Sequence, residues 1–232
     1  MKRGAWLVLG VALATTLCVV GVLVTRNYGV TKRLAEFGPA ARIRLASAFS
    51  RAQVEYPPGS LIFVGLKAEK RLEIYASGRD GKFRFIRNYP ILAASGKSGP
   101  KLREGDAQVP EGIYGIESLN PNSSYHVSLR ISYPNADDRQ HAQAEGRTNL
   151  GGDIMIHGKA ASIGCLAMGD PAAEELFTLA AETGIKAIRV LLVPHDLRVK
   201  PAPSLPDAPV WLSDRYAQLT RELSNLRREA QN

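Results

Sequence analysis

The sequence predicts a mainly β domain with flanking helices, an α+β fold. Three observations predict it. Short apolar or alternating runs recur from Ser60 onward, separated by Gly, Pro and Asn clusters. A single well-delimited helix follows Cys165, and a second, charged helix closes the chain. Short strands with frequent turns argue for antiparallel pairing, whereas alternating strands and long helices would argue for a parallel sheet. The length of 232 residues allows one domain of ordinary size plus a tether.

The elements follow in order. Lys2 and Arg3 precede an uncharged stretch from Gly4 to Thr25. About 20 apolar residues in a helix cross a bilayer core, so residues 5–24 are long enough to span the inner membrane. A cleavable signal has a shorter apolar region and a small-residue exit. This exit reads VLVTRNYG, so an uncleaved signal anchor over 1–26 is favoured over a cleaved signal. In either case the rest of the chain is expected in the periplasm. Residues 27–59 read as a stalk: Leu34, Phe37, Ile43, Leu45 and Phe49 are loosely helical in spacing, Gly38-Pro39 interrupts them, and Pro57-Pro58-Gly59 ends the segment.

Leu61–Leu66 is an apolar strand, and Arg71–Ser77 alternates through Leu72, Ile74 and Ala76. Asp80-Gly81 carries a type I′ hairpin signature ahead of Phe83, Phe85 and Ile86. Strands are further expected at Ile113–Glu117, Tyr125–Ser132, Asp153–His157 and Lys186–Val193. Between the last two, Asp170 is placed to cap a helix, Pro171 to begin it and Gly184 to close it. A Pro-rich piece then opens the 201–232 segment, whose helix from about Val210 carries Trp211, Leu212, Tyr216 and Leu219 toward the domain.

The chemistry concentrates in GGDIMIHGKAASIGCLAMGD, Gly151 to Asp170. A strand ends in His157-Gly158, and Ser162-Ile163-Gly164-Cys165 opens toward a helix. A nucleophilic thiol needs a base and a wall of donors for the oxyanion formed on attack. His157 is placed to be the base. Gly164 lets a substrate carbonyl approach, so its N–H and that of Cys165 are candidate oxyanion donors. Ser162 either supports the loop or His157, or starts the turn. Zinc is disfavoured, because His126, His141 and His195 show no ligand spacing with Cys165. The net charge of +8 suits anionic surroundings, but Lys and Arg are scattered and no nucleic-acid motif is present. A buried, inert Cys165 is the competing reading.

This segment resembles the active-site region of the L,D-transpeptidase catalytic domain, the YkuD family. His157 matches the family's base, and Ser162, Gly164 and Cys165 match its second block. SGKSGPKLREGDAQVPEGIYGI, LNPNSSYHVSLRISYPNADDR and GRTNLGGDIMIHG look like the YafK-type branch, so the likeness runs from Leu61 to about Val199. It implies a YkuD-like β-sandwich catalytic domain over 60–200 and a peptidoglycan transpeptidase without a cofactor, using a cysteine thioester on diaminopimelate-containing stem peptides. The branch also resembles enzymes that release lipoprotein from peptidoglycan, so hydrolysis at the same site is the alternative, and a non-catalytic wall-binding module a more distant one.

Two departures stand out. The loop from His157 to Ser162 is much shorter than the family's usual fourteen to seventeen residues, and Ile163 stands where a His often precedes Gly-Cys. The Arg often found just after the cysteine is missing too. For the substrate carboxylate the candidates are therefore Arg147, then Lys101, Arg103 and Arg139, against a structural reading in which they form ion pairs.

Overall fold

The computed structural model describes residues 29–226. The expected span, residues 5–24, lies outside them, and among the described residues no helix is long and apolar enough to cross a membrane.

The first element is a helix over residues 29–51, α1. Phe37, Ala41, Leu45, Ala48 and Phe49 form its buried stripe, at the spacing of one helix face. This corrects the stalk: α1 is packed into the main core with the sheet and is tied to a later helix through Arg42–Glu182 and Arg44–Glu175, both at 2.6 Å. Ile43, expected on the apolar face, is 76% exposed, and the small residues Ala41 and Ala48 fill that face instead. Gly38-Pro39 does not interrupt the helix. Pro39 and Ala35 are on its solvent side, so the carbonyl that loses its N–H partner faces water. Leu45→Ala is expected to cost about 2–5 kcal/mol in denaturant unfolding, whereas truncating a residue of a free stalk would leave stability unchanged.

Eight strands follow: β1 (Leu61–Leu66), β2 (Arg71–Ser77), β3 (Phe83–Pro90), β4 (Gly112–Ser123), β5 (His126–Ile131), β6 (Met155–His157), β7 (Leu166–Ala167) and β8 (Ile188–Val193). They form a single sheet in the order β3-β2-β1-β8-β4-β5-β6-β7. The expected two-sheet sandwich is thus one continuous sheet. Its two halves share the long strand β4, which pairs with β8 through Gly112–Gly115 and with β5 from Ile116 onward. Pairing is mainly antiparallel, with β1–β8 and β6–β7 parallel. The sheet rolls so far that its last strand returns to the segment after β3, where Leu92 donates to the Ala167 carbonyl (2.8 Å) and Ala167 to that of Ala93 (2.9 Å).

The expected type I′ turn is not formed. Gly81 has φ +73° but Asp80 does not share it, and the hairpin closes through Gly78 N–H to the Lys82 carbonyl at 2.9 Å. Asp80 instead accepts the Lys82 N–H and grips Arg84. Among the described residues there are three further α-helices: α2 (Ala136–Ala144), α3 (Asp170–Thr183) and α4 (Leu212–Ser224). Helix α2 was not among the expected elements, although its start is signalled by a capping box in which Asn135 accepts from the Asp138 N–H and Asp138 from that of Asn135.

The sheet has a core on each face. Leu61, Phe63, Leu129, Ile156 and Leu166 join Phe177 and Leu176 of α3 and the stripe of α1. Ile62, Val64, Leu66 and Leu191 meet Tyr216, Leu219 and Leu223 of α4. The C-terminal helix is therefore part of the domain's packing, as its apolar spacing predicts. It is fastened by Arg215 to Asp138 (3.0 Å) and by the Tyr216 hydroxyl donating to Glu111 (2.6 Å), a carboxylate wholly removed from solvent.

Candidate active site

Parallel pairing of β6 with β7 builds the site. The register sets Ile156 against Leu166 and His157 against Ala167, which brings Cys165, one residue before β7, beside Met155. Side chains two apart on a strand share a face, so Met155 and His157 project together and Cys165 joins them. The contact is direct: the Met155 N–H donates to Cys165 Sγ at 3.3 Å, and the thiol donates to the Asp153 carbonyl at 3.5 Å. His157, Cys165, Ser162, Ile163 and Met155 line one cavity of about 450 Å³, whose opposite wall is the β4–β5 turn with Ser123, Ser124 and Tyr125. The eight-residue separation seen in the sequence thus delivers thiol and imidazole to one cleft.

Their resting state is neutral. Burial pushes the Cys165 thiol above its usual value; the Met155 N–H opposes this, the Asp153 charge adds to it, and the Lys101 charge opposes it. Burial lowers His157 below the ordinary histidine value, against the pull of its bond to Gly158. Nδ1 lies 2.6 Å from the Gly158 carbonyl oxygen, which can only accept, so Nδ1 holds the proton and Nε2 is the free base. Among the described residues the thiol's hydrogen-bond partners are backbone groups and not the imidazole, so the pair is poised rather than ionised. Tyr125 covers the ring at 4.6 Å between centroids.

The His-Gly pair is fixed by close approach. A Cβ on Gly158 would lie 2.5 Å from Asp170 Oδ1 and 2.8 Å from the Tyr125 carbonyl. Asp170, expected to cap α3, is its first residue, with Gly169 as the cap, and its Oδ1 accepts the Lys159 N–H at 2.8 Å, fastening the loop after His157. Gly158→Ala is accordingly expected to cost about 1–3 kcal/mol in thermal unfolding, because backbone on one side cannot yield, and to slow alkylation of Cys165 less than it lowers stability.

The loop Ser162–Cys165 departs from expectation in one respect. Gly164 has φ +78°, as a glycine there permits, but its N–H donates to Ser95 Oγ at 2.6 Å. The Cys165 N–H donates to Ser162 Oγ at 3.1 Å. The candidate oxyanion donors are both occupied in this conformation. Ser162 therefore organises the turn and not His157. Ser95 was invisible to sequence reasoning because it reaches the loop from a distant segment, donating onward to the Ala107 carbonyl at 2.7 Å.

The four basic candidates do not line this cavity. Lys101 is buried, bonded to Asp106 at 2.6 Å and to the Arg103 carbonyl at 2.9 Å. Arg147 is engaged by Glu145 (2.6 Å) and the Leu102 carbonyl (2.9 Å). Arg103 and Arg147 line a separate cavity of about 670 Å³ with Pro100, Thr148 and Asn149. Arg139, on α2, bonds the Pro134 carbonyl. Lys101 and Arg147 are thus held in ion pairs, but by Asp106 and Glu145 and not by Glu104, Glu111, Asp137 or Asp138, the partners the sequence suggested. His126 is likewise engaged, with Nε2 3.1 Å from Glu174 and its ring against Phe37.

The chain is similar to several known proteins. The family model described as L,D-transpeptidase catalytic domain matches residues 59–192. YafK of Escherichia coli K12, which carries an L,D-transpeptidase designation, is 35% identical over 142 residues, covering 59% of this chain and 55% of that protein. The chain thus spans about half the length of that relative. Among solved structures, the helical cell shape determining protein Pgp2 from Campylobacter jejuni is 28% identical with a TM-score of 0.46, over 59% of this chain and 48% of Pgp2. Bd1075 of Bdellovibrio bacteriovorus is 17% identical with a TM-score of 0.42, over 71% of this chain and 54% of Bd1075. With its family model covering more than half the chain and both motif residues on one cavity wall, this chain belongs to the L,D-transpeptidase catalytic domain family.

Proposed function

We propose that the chain is a peptidoglycan L,D-transpeptidase that works through a Cys165 thioester with His157 as general acid and base. The observation that carries this reading is the shared cavity, in which a half-buried thiol and a neutral imidazole with a free Nε2 project from neighbouring strands. Cys165 Sγ attacks the carbonyl at the L-centre of diaminopimelate in a tetrapeptide stem as its proton passes to His157 Nε2. The C–N bond to the terminal residue breaks, and the departing amine takes that proton. A neutral thiol suits such coupled transfer, because proton and attack move together. An oxyanion forming at the carbonyl is a stronger acceptor than a hydroxyl, so it displaces Ser95 or Ser162 from the Gly164 and Cys165 N–H groups.

An amine then resolves the thioester in transfer, or water in hydrolysis; a lipoprotein-linked stem is a substrate for the second course. Residues 5–24 hold the domain at the periplasmic face of the inner membrane in this reading. The test is product analysis by mass spectrometry after incubation with tetrapeptide muropeptides. Cross-linked dimers are expected; tripeptides alone would replace transfer by hydrolysis, and unchanged substrate would remove both.

A further inference from the structure

The wall of the cleft opposite Cys165 is the β4–β5 turn, and the sheet alone does not hold it. The β4–β5 register shifts between Asn120 and Ser123, so the ladder is interrupted just before the turn that carries Ser124 and Tyr125. His126, the first residue of β5, has φ +77°, a left-handed backbone that persists in a non-glycine residue where the surroundings enforce it. Two helices do so. From α1 the Phe37 ring lies 5.9 Å from the His126 ring, and Arg33 Nε donates to the Pro121 carbonyl at 2.8 Å. From α3, Glu174 stands 3.1 Å from His126 Nε2 and is itself paired with Arg44 of α1 at 3.0 Å. Arg33, Phe37 and Arg44 are four and then seven residues apart, the spacing of one helix face. On its other side His126 meets the His157-Gly158 pair. A Cβ on Gly158 would lie 3.0 Å from that of His126, the Tyr125 ring covers the imidazole at 4.6 Å, and Lys159 Nζ bonds the Ser124 carbonyl at 2.7 Å. Contact thus runs from α1 through His126 and Tyr125 to His157.

Resting on the thioester reading above, we propose that His126, held by α1, is a positioning residue for that reaction. Wedged between the helix and the His157-Gly158 pair, it sets where Tyr125 stands, and Tyr125 in turn fixes the imidazole. With Tyr125 in place one face of the ring is covered, Nδ1 stays on the Gly158 carbonyl, and Nε2 is kept for the thiol proton. With the turn released, the imidazole gains room to rotate and the proton acceptor is no longer held for Cys165. Helix α1 lies outside residues 59–192, which match the family model, so an element added ahead of the family's domain completes its cleft.

His126→Asn isolates this role, because asparagine tolerates a left-handed backbone while its short side chain gives up the ring contact with Phe37. The full chain is given saturating tetrapeptide muropeptide, and thioester formation is timed by intact mass at a temperature below the thermal transition of every variant. The substitution is expected to slow the step about ten- to a hundredfold. Tyr125→Ala should slow it comparably, and His126→Asn added to Tyr125→Ala should slow it no further, because the two act in series. Arg33→Ala, on the half-exposed surface of α1, gives a reading that does not depend on how His126→Asn folds. It should slow the step about fivefold, the worth of one hydrogen bond, and Arg33→Lys, which keeps a donor, should restore the rate. A wild-type rate in folded His126→Asn or in Arg33→Ala overturns the inference alone. A full further loss from His126→Asn in the Tyr125→Ala background overturns it in favour of a purely structural role. No thioester in the wild-type chain overturns the underlying reading and the inference with it.

Discussion

Cys165→Ala is expected to lower turnover of tetrapeptide muropeptides by at least about a thousandfold and to eliminate any covalent adduct, because Cys165 is the one thiol lining the cavity and the hydroxyls there are far weaker nucleophiles. The fold should survive. Cys165 is only partly buried, and the substitution removes two weak sulfur hydrogen bonds, from the Met155 N–H and to the Asp153 carbonyl, together worth on the order of 1 kcal/mol. An unchanged thermal transition alongside lost turnover is therefore the predicted pattern. If the wall profile and turnover ignored the change, the chain would be a wall-binding module that has kept the fold.

His157→Gln should lower the rate of thioester formation by about a hundred- to ten-thousandfold, the range that a positioned general base supplies. The pH profile gives this prediction its sign. The working form of His157 is neutral, and burial holds its pKa below the usual histidine value. Thioester formation in the wild type should thus rise with pH on the acid side of that value and be level through neutrality. The same shift makes folding less favourable as pH falls through the unfolded histidine range, because the buried ring resists protonation. In His157→Gln the acid limb of the rate should vanish. Cys165, raised by burial and by the Asp153 charge, keeps its proton at neutral pH, so its alkylation by iodoacetamide should climb only in the alkaline range. A thiol already ionised at neutral pH would show the opposite profile.

How much of this was legible in the sequence depends on the range of the interactions concerned. Strand runs such as Leu61–Leu66 and Ile188–Val193 announce themselves by apolar content, and the His157–Cys165 pairing by its short span and motif. The mixed sheet order did not, since β8 enters between β1 and β4 from a distant part of the chain. The helix α1 was half legible. Its periodicity was visible, but a proline in the pattern reads as a break unless the solvent side can be recognised. Lys101 and Arg147 show the reverse problem: charge and proximity to the motif suggested binding, while local carboxylates at Asp106 and Glu145 had already claimed them. Ser95 and Tyr125 shape the site through tertiary contact alone.

The most direct test of the account is intact-mass measurement of the wild-type chain during turnover of a tetrapeptide muropeptide, followed by mapping of the adduct. A transient acyl mass on the peptide carrying Cys165, resolved faster when an amine is added, is the expected result. An adduct on any other residue, or complete turnover with no covalent species under conditions that trap thioesters, would contradict it.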